Sequence, residues 1–326
     1  MISASKWINA SYKYLILLAV AVGFLLPEPA FALKTATPFA VAGIIFSLGL
    51  VIGREGFGKV AERPATLLTG LTLTFIATSL TGAGVASTLL TQSPDLAFGL
   101  VLTSSVACGN AVGTWTALAG GDIPLAISIL STSTALTPFM TPLLASLLGG
   151  RYVSFDPAKT FADLSLMILL PLAISRLVAS KLSCHPRDRE QIPMAFSSGL
   201  AILLGYVVVG NASQLLLSSL PPHVSALLVI SVVMQSATGF LIGYYVPSLF
   251  LGIDRGSAIA MAYATGSKNN SIAMAIALAQ FGPLTALPPM VYLLTQIGFS
   301  SLALNRFQKQ IGSSLKGQDS KNMRIW

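Results

Sequence analysis

The chain has 326 residues, of which 54% are hydrophobic and only 9% are charged, and its mean hydropathy is +0.78. A soluble domain usually carries about 25% charged residues, so this composition excludes a sizeable soluble domain and predicts a protein embedded in a membrane along its whole length. The net charge of +8 does not indicate a nucleic-acid partner, because the basic residues fall in short loops and in the C-terminal tail, as membrane topology requires.

Apolar stretches of about 20 residues can cross a bilayer as helices, and the sequence predicts ten of them. In chain order they cover residues 12–33, 37–53, 65–89, 95–118, 122–148, 160–180, 195–218, 223–250, 256–280 and 284–305. The first stretch follows Lys6 and Lys13 and ends near Ala30-Phe31-Ala32, so it also resembles a cleavable signal peptide. We favour its retention, because ten spans divide into two halves of five.

The distribution of basic residues predicts the orientation. Fifteen of the 19 Lys and Arg residues fall on one side of the predicted spans and three, Lys34, Arg151 and Lys159, fall on the other. Cytoplasmic loops carry the excess of positive charge, so we expect a multi-pass protein of the cell (inner) membrane with both termini in the cytoplasm. The basic tail at 306–326 is expected to be solvated, close to anionic lipid.

The spans form two halves, residues 1–150 and 151–305. Because each half has an odd number of spans, the second half is inverted relative to the first, which is typical of secondary transporters. The fourth span of each half carries the most polar, glycine-containing interruption, at residues 103–116 and 264–271. We therefore predict an all-α protein with two inverted five-helix repeats, in which the fourth and ninth helices are broken and cross.

Lys268 is the remaining basic residue, and it lies inside the ninth span. A lysine near the middle of a bilayer costs about 2.5–3.5 kcal/mol, so it usually faces a cavity and has a function. Glycines permit unwinding of the helix, and amide side chains can satisfy the backbone groups that unwinding frees. The predicted substrate or ion site comprises Lys268, Asn269, Asn270, Thr265, Ser267, Gly266, Asn110, Gly109, Gly113, Thr114, Gln235 and Ser236.

Two sets of polar residues have a competing structural interpretation. Gln235 and Ser236 of the eighth span are equally compatible with lining the site and with bonding a neighbouring helix. The Ser and Thr residues of the fifth span are better explained as helix-packing residues, which are common in membranes.

Residues 116–142 resemble the passage from the fourth to the fifth helix in the bile acid:sodium symporter family, part of a larger group that includes arsenite efflux carriers. Residues 239–244 resemble the eighth helix of that family, and Gly266-Ser267-Lys268-Asn269 matches its G-M-Q-N sequence. The resemblance covers about residues 95–305. It implies a panel of helices 1, 2, 6 and 7 and a core of helices 3–5 and 8–10, with helices 4 and 9 unwound and crossed.

The departures from the family concern its sodium ligands. Five positions that supply oxygen ligands in the family align with Val112, Gly113, Ala126, Leu130 and Ala264, and a glutamine of the second sodium site aligns with Lys268. A hard cation needs oxygen ligands, so the resemblance implies a member without the usual sodium coupling, in which the Lys268 ammonium takes the place of a sodium ion. Lys268 then either carries a proton through the transport cycle or stays charged and pairs with an anionic substrate.

The function that these features favour is secondary transport of a small organic anion by alternating access, coupled to protons, by exchange or by uniport. A carrier of arsenite or another metalloid oxyanion is the alternative, with Cys108 as a thiol ligand. An intramembrane enzyme is remote, because the acidic residues and both histidines lie in loops or at span ends. We expect the anionic substrate and the lipid bilayer as partners, and no cofactor, metal, nucleic acid or obligatory protein partner.

Overall fold

The computed structural model describes residues 2–51, 63–154, 156–181, 186–218 and 220–322. These residues form helices and short connections, with no β-strand among them. Seven of the described helices are long and apolar enough to cross a membrane, and shorter apolar helices cover Tyr14–Leu25 and Asn270–Phe281. The chain is therefore an all-helical, multi-pass membrane protein.

Up to residue 154, the described chain contains eight α-helices. They are α1 (Ile2–Leu25), α2 (Glu28–Leu33), α3 (Thr37–Val51), α4 (Pro64–Thr72), α5 (Thr78–Leu89), α6 (Pro94–Ser105), α7 (Val112–Leu118) and α8 (Ile123–Gly149). A 3-10 turn, Lys34–Ala36, precedes α3, and a π-helical turn, Leu73–Ala77, joins α4 to α5.

Seven more α-helices follow in the described residues. They are α9 (Pro157–Leu164), α10 (Leu170–Lys181), α11 (Pro186–Ser218), α12 (Pro222–Tyr245), α13 (Arg255–Gly266), α14 (Asn270–Ile276) and α15 (Pro283–Asn322). Further π-helical turns extend α12 (Val246–Phe250) and α14 (Ala277–Phe281), and another, Ser165–Leu169, joins α9 to α10.

The first predicted span ends earlier than the sequence suggested. α1 stops at Leu25 instead of near residue 33. Pro27 lacks a backbone N–H, and its ring would obstruct the preceding helical turn, so the helix cannot continue through it. α1 packs closely against α11, where a side chain at Gly205 would collide with Ile16.

Aspartates cap two helices that begin at the predicted cytoplasmic surface. Asp122 accepts a hydrogen bond from the Leu125 N–H at the start of α8. Asp254 accepts from the Ser257 hydroxyl at 2.7 Å and from the Ser257 N–H at 3.1 Å, at the start of α13. These hydrogen bonds, led by that of the hydroxyl, hold the pKa of Asp254 below its usual value. Arg63 lies 4.0 Å from Asp122 and 3.8 Å from Asp254, in exposed ion pairs.

The helices pack in two groups. In the first group, α11 packs against α1 and α3, and α10 packs against α3. In the second group, α12 packs against α13, α5 and α15, while α6 packs against α15, α5 and α8. α14 lies where the groups meet, since it contacts α3 and α11 of the first group and α15 of the second.

Two glycines bring α12 and α13 into close contact. A Cβ atom at Gly239 would lie 3.0 Å from the Thr265 carbonyl oxygen, and one at Gly243 would lie 2.7 Å from the Met261 carbonyl oxygen. The glycines are four residues apart and so share one face of α12. Small residues of this kind let helix backbones approach in membranes, and here they hold α13 in place up to the point where it ends.

Hydroxyl groups of α8 are used within the helix. Ser128, Ser131, Thr134 and Thr137 each donate to a carbonyl four residues earlier, at 2.7–2.9 Å. This bonding satisfies the hydroxyls locally and agrees with the interpretation of these residues as packing residues.

Candidate functional site

Two breaks in the helices meet at one point. α6 ends at Ser105 and α7 begins at Val112, while α13 ends at Gly266 and α14 begins at Asn270. The two intervening segments pair in antiparallel fashion at Cys108 and Lys268. The Gly109 N–H donates to the Ser267 carbonyl at 3.0 Å, and the Asn269 N–H donates to the Ala107 carbonyl at 2.9 Å. Each broken segment therefore satisfies backbone groups of the other, as buried backbone requires.

The glycines near the breaks have different roles. A Cβ atom at Gly109 would lie 3.1 Å from the Lys268 carbonyl oxygen, so the close approach of the two segments favours glycine there. At Gly266 a Cβ atom would collide with the ring of Phe240. Gly113, which the sequence suggested as an unwinding point, lies inside α7, and a Cβ atom there would meet only Ile127 at 3.6 Å. The unwinding ends before Gly113 is reached.

Lys268 is buried, with 1% of its surface exposed. Its ammonium donates to the Thr74 carbonyl at 2.5 Å, to the Thr78 hydroxyl at 2.8 Å and to the Val106 carbonyl at 3.4 Å. The ion pairs found among the described residues join Arg63 to aspartates and do not involve Lys268. The ammonium thus sits among neutral oxygens, with no carboxylate partner in the described part of the chain.

The π-helical turn explains why the Thr74 carbonyl is available. In a regular α-helix the Thr78 N–H would donate to Thr74, but here it donates to Leu73. The Thr74 carbonyl is released from the backbone helical pattern and accepts from the Lys268 ammonium and from the Thr78 hydroxyl. Such π-helical insertions are frequent at functional sites. Thr74 and Thr78 were not anticipated from the sequence, since Thr is ordinary in membrane helices and a π turn leaves no clear sequence signal.

Gln235 joins the same cluster from α12. Its side-chain amide donates to the Thr78 carbonyl at 2.8 Å, so it bonds a neighbouring helix and also contacts the residue that holds Lys268. Gln235 and Ser236 are both fully buried. The Gln235 Oε1 atom has no hydrogen-bond partner among the described residues.

Two asparagines link the breaks through their side chains. Asn269 donates from Nδ2 to Asn110 Oδ1 at 3.1 Å, while its own oxygen caps α14 at Ile272. Asn110 is partly exposed and Thr114 is exposed, whereas Asn269 is 3% exposed. Successive side chains of an extended segment point to opposite sides, so Lys268 and the Asn269–Asn110 pair occupy different sides of the crossing.

Several buried polar atoms near the second break have no hydrogen-bond partner among the described residues. They are Thr265 Oγ1, Ser267 Oγ and both side-chain polar atoms of Asn270. Buried polar groups are normally paired, so these atoms are available to a ligand or to ordered water.

Side chains of α15 also reach the second break. The Tyr292 hydroxyl donates to the Gly266 carbonyl at 3.0 Å, and Gln296 Oε1 accepts from the Lys268 N–H at 2.9 Å. Neither residue could be anticipated from the sequence, because both lie in a helix more than 20 positions away.

Cys108 is buried at the first break, and its sulfur lies 3.4 Å from the Ser133 hydroxyl. Among the described residues no group of three His, Cys, Asp or Glu side chains could hold a metal ion. Cys184, the second cysteine of the sequence, lies outside the described residues.

The residues that align with the family's first sodium site are apolar, and they pack within a hydrophobic cluster. Val112, Ala126, Leu130 and Ala264 are at most 4% exposed and belong to one hydrophobic cluster. That cluster also contains Ile129, Met261 and Tyr263. None of the four aligned side chains offers an oxygen ligand.

Discontinuous helices that cross inside a multi-pass helical bundle, with a buried polar site at the crossing, define the class of secondary transporters. Comparison with known proteins identifies the family. The model of the sodium bile acid symporter family matches residues 38–219, and the chain belongs to this family. It is a membrane transporter and not an enzyme.

Named relatives are transporters as well. The chain is 23% identical over 322 residues to a Bacillus subtilis protein named uncharacterized sodium-dependent transporter YocS, covering 98% of each. It is 31% identical over 255 residues to the probable sodium/metabolite cotransporter BASS1, chloroplastic, of Oryza sativa, and 27% identical over 246 residues to the protein of that name in Arabidopsis thaliana. These matches cover 76% and 75% of this chain but 60% and 59% of the two chloroplastic relatives.

Proposed function

We propose that this transporter carries a small organic anion by alternating access, and that the Lys268 ammonium replaces the coupling sodium ion. The observation that carries the proposal is the set of oxygens around Lys268, from Thr74, Thr78 and Val106, in a site with 1% exposure. Carbonyl and hydroxyl oxygens of this kind are what a bound alkali cation would use. A tethered ammonium in their midst leaves no vacancy for sodium.

The hydrophobic cluster supports the same conclusion for the other sodium site. Val112, Ala126 and Ala264 offer no side-chain oxygen and belong to a hydrophobic cluster. A hard cation without oxygen ligands would remain unsolvated in this space. The names of the relatives describe sodium-dependent transport by those proteins, whereas this chain lacks side-chain oxygens at the positions that align with the family's sodium ligands.

The position of Lys268 bears on its role. All three ammonium protons have an acceptor within the protein: the Thr74 carbonyl of the π-helical turn, the Thr78 hydroxyl of α5 and the Val106 carbonyl at the first break. The substrate is better accommodated on the other side of the crossing, where Asn110 and Thr114 are accessible. Lys268 then does not contact the substrate directly. It acts on the substrate through its charge and through the position of the two crossed segments. Two modes fit this arrangement: Lys268 exchanges its proton during the cycle, or it remains charged and the protein is an exchanger or uniporter.

The charge of the site favours an anionic substrate. The cluster around Lys268 carries one positive charge and no carboxylate among the described residues. In a poorly solvated interior this charge is weakly screened, so it favours an anion at the neighbouring Asn110–Asn269 pair. No cofactor is required for such a cycle, and the proposed partners are the substrate and the bilayer.

The finer architecture is part of the proposal. We propose ten spans in two inverted repeats, 1–150 and 151–305, with the group around α11 as the panel and the group around α12 as the core. The two breaks support this division, since they fall in the fourth and ninth spans. The charge distribution supports an inner-membrane location with both termini in the cytoplasm. Close packing of α1 on α11 supports retention of the first helix.

Contacts at the proposed outer side favour a state open to the cytoplasm. α14 is buried in a hydrophobic cluster with residues of α3 and α11, including Ile44 and Val208. A polar contact closes the same side: Gln280 donates to Asp163 at 2.9 Å and accepts from the Thr160 hydroxyl at 2.8 Å. On the inner side, by contrast, α7 leaves Thr114 exposed. We call the Thr160–Asp163–Gln280 cluster the outer latch.

Uptake into proteoliposomes tests the proposal. Radiolabelled acetate, pyruvate, citrate and cholate, supplied with either a sodium or a choline gradient, represent the main classes of small organic anion. We expect uptake of at least one anion that is indifferent to sodium. Uptake that strictly requires sodium would refute the replacement of the ion by Lys268. Uptake of arsenite with none of the organic anions would instead support the metalloid alternative, in which Cys108 is a ligand.

A further inference from the structure

Breaking the ninth span frees two backbone groups next to Lys268. In a continuous helix the Gly266 carbonyl would accept from the Asn270 N–H, and the Lys268 N–H would donate to the Ala264 carbonyl. Instead, the Asn270 N–H donates to the Lys268 carbonyl at 2.9 Å. The Gly266 carbonyl and the Lys268 N–H therefore need partners from elsewhere, since both are buried.

Both partners come from one face of α15. Tyr292 donates to the Gly266 carbonyl at 3.0 Å, and Gln296 accepts from the Lys268 N–H at 2.9 Å. The two residues are four positions apart, so their side chains lie one above the other on the helix. Together they fix the positions of Gly266 and Lys268 relative to α15.

α15 is itself fixed to the other broken helix. A Cβ atom at Gly99 of α6 would collide with the Thr285 carbonyl oxygen of α15, so the two backbones are in direct contact. α15 also packs against α11 of the first group of helices. It is thus a common support for the crossing, and any displacement of α15 would move the backbone of Lys268.

We propose that Tyr292 and Gln296 are positioning residues, which set the place of the Lys268 ammonium relative to Thr74 and Thr78. The inference rests on the proposed role of Lys268 in transport. Neither residue contacts the ammonium, so they act through the backbone of residue 268. Loss of either bond lets that backbone shift and weakens the contacts of the ammonium with its oxygens.

The competing explanation is that Tyr292 is simply a large core residue. Tyr263 supplies a matched control, because it is also fully buried and its hydroxyl donates to a different carbonyl of α15, that of Ser300 at 3.3 Å, and not to a group freed by the break. Tyr292→Phe and Tyr263→Phe remove the same atom from two equally buried sites. For Gln296, the control is Gln296→Glu, which keeps an acceptor oxygen that Gln296→Leu removes.

Amide hydrogen exchange of the purified full chain in lipid nanodiscs tests the bond without any substrate. We expect Gln296→Leu to increase exchange in the peptide containing Lys268 by about tenfold, the effect of losing one hydrogen bond, while Gln296→Glu and Tyr263→Phe leave it unchanged. Unchanged exchange in Gln296→Leu would overturn the inference and leave the proposed transport function untouched.

Transport supplies the second readout, with the organic anion that gives the largest uptake by the wild-type chain. We expect Gln296→Leu and Tyr292→Phe to lower the maximal rate by about tenfold and to change KM by less than about threefold, because the substrate face is intact. Near wild-type rates in both variants, despite faster exchange, would also overturn the positioning role.

Discussion

If the Lys268 ammonium replaces the coupling sodium ion, as we propose, replacing Lys268 by glutamine should make transport responsive to sodium. The substitution removes the tethered charge and the hydrogen bonds that the ammonium donates to the Thr74, Thr78 and Val106 oxygens. The new side-chain carbonyl adds a fourth oxygen to this group. The result is an uncharged, oxygen-lined space next to the crossing, where a sodium ion could restore the positive charge that the ammonium supplied.

We expect the Lys268→Gln variant to fold, because the free energies lost and gained by the substitution are similar. Two well-formed bonds to the ammonium, at 2.5 and 2.8 Å, are lost, and hydrogen bonds to charged groups contribute about 1.5–3 kcal/mol each. Removing a buried charge relieves a desolvation cost that is also several kcal/mol. The two effects oppose each other, so we expect a change in the free energy of unfolding of no more than about 2 kcal/mol.

The matched control is Lys268→Met, which has a similar unbranched shape but neither a charge nor an oxygen. Uptake into proteoliposomes is measured at equal pH with sodium or choline outside. We expect Lys268→Gln to lose about tenfold in choline and to recover part of that loss in sodium, while Lys268→Met stays inactive in both. Wild-type rates in Lys268→Met would show that the ammonium is structural, and no response of Lys268→Gln to sodium would refute the cation-site reasoning.

Three further predictions concern the substrate face, the outer latch and the helix caps. Asn110→Asp places a negative charge on the accessible side of the crossing. The KM for the transported anion, measured from uptake kinetics, should therefore rise more in Asn110→Asp than in Asn110→Ala. Gln280→Leu removes both bonds of the outer latch and should increase labelling of a Ser271→Cys variant by a membrane-impermeant thiol reagent from outside; unchanged labelling relative to Ser271→Cys alone would contradict the latch. Because the pKa of Asp254 is lowered in the folded protein, its capping bonds stabilise the fold above about pH 4 and are lost as pH falls through the folded pKa. Thermal unfolding of Asp254→Ala should therefore differ from wild type at pH 7, by about 0.5–2 kcal/mol in unfolding free energy, and converge with it at low pH.

The helix breaks could be predicted from the sequence because their causes are local. Glycines and amides inside apolar stretches, such as Gly109, Asn110 and Asn269, conflict with a continuous helix wherever they occur. Lys268 is detectable for the same reason, since a charge in an apolar span is costly in any fold. By contrast, the end of α1 at Leu25 was placed too late, because the apolar pattern continues past Pro27 although the helix does not.

The environment of Lys268 could not be predicted in this way. The Thr74 carbonyl becomes an acceptor only through the π-helical turn, which depends on how α4 and α5 pack and not on a residue type. Gln296 and Tyr292 reach the break by tertiary contact from α15, and nothing in their own segment marks them. Gly113 illustrates the opposite case, a glycine that suggested unwinding but lies in a regular helix.

Equilibrium binding of radioactive ²²Na⁺ to the purified wild-type chain tests the central claim most directly, because it requires no knowledge of the substrate. If the Lys268 ammonium occupies the cation position and the other site is filled by apolar side chains, the wild-type protein should bind no sodium saturably in the millimolar range, whereas Lys268→Gln should bind it. Saturable sodium binding by the wild-type chain, unaffected by substitution of Lys268, would contradict the claim.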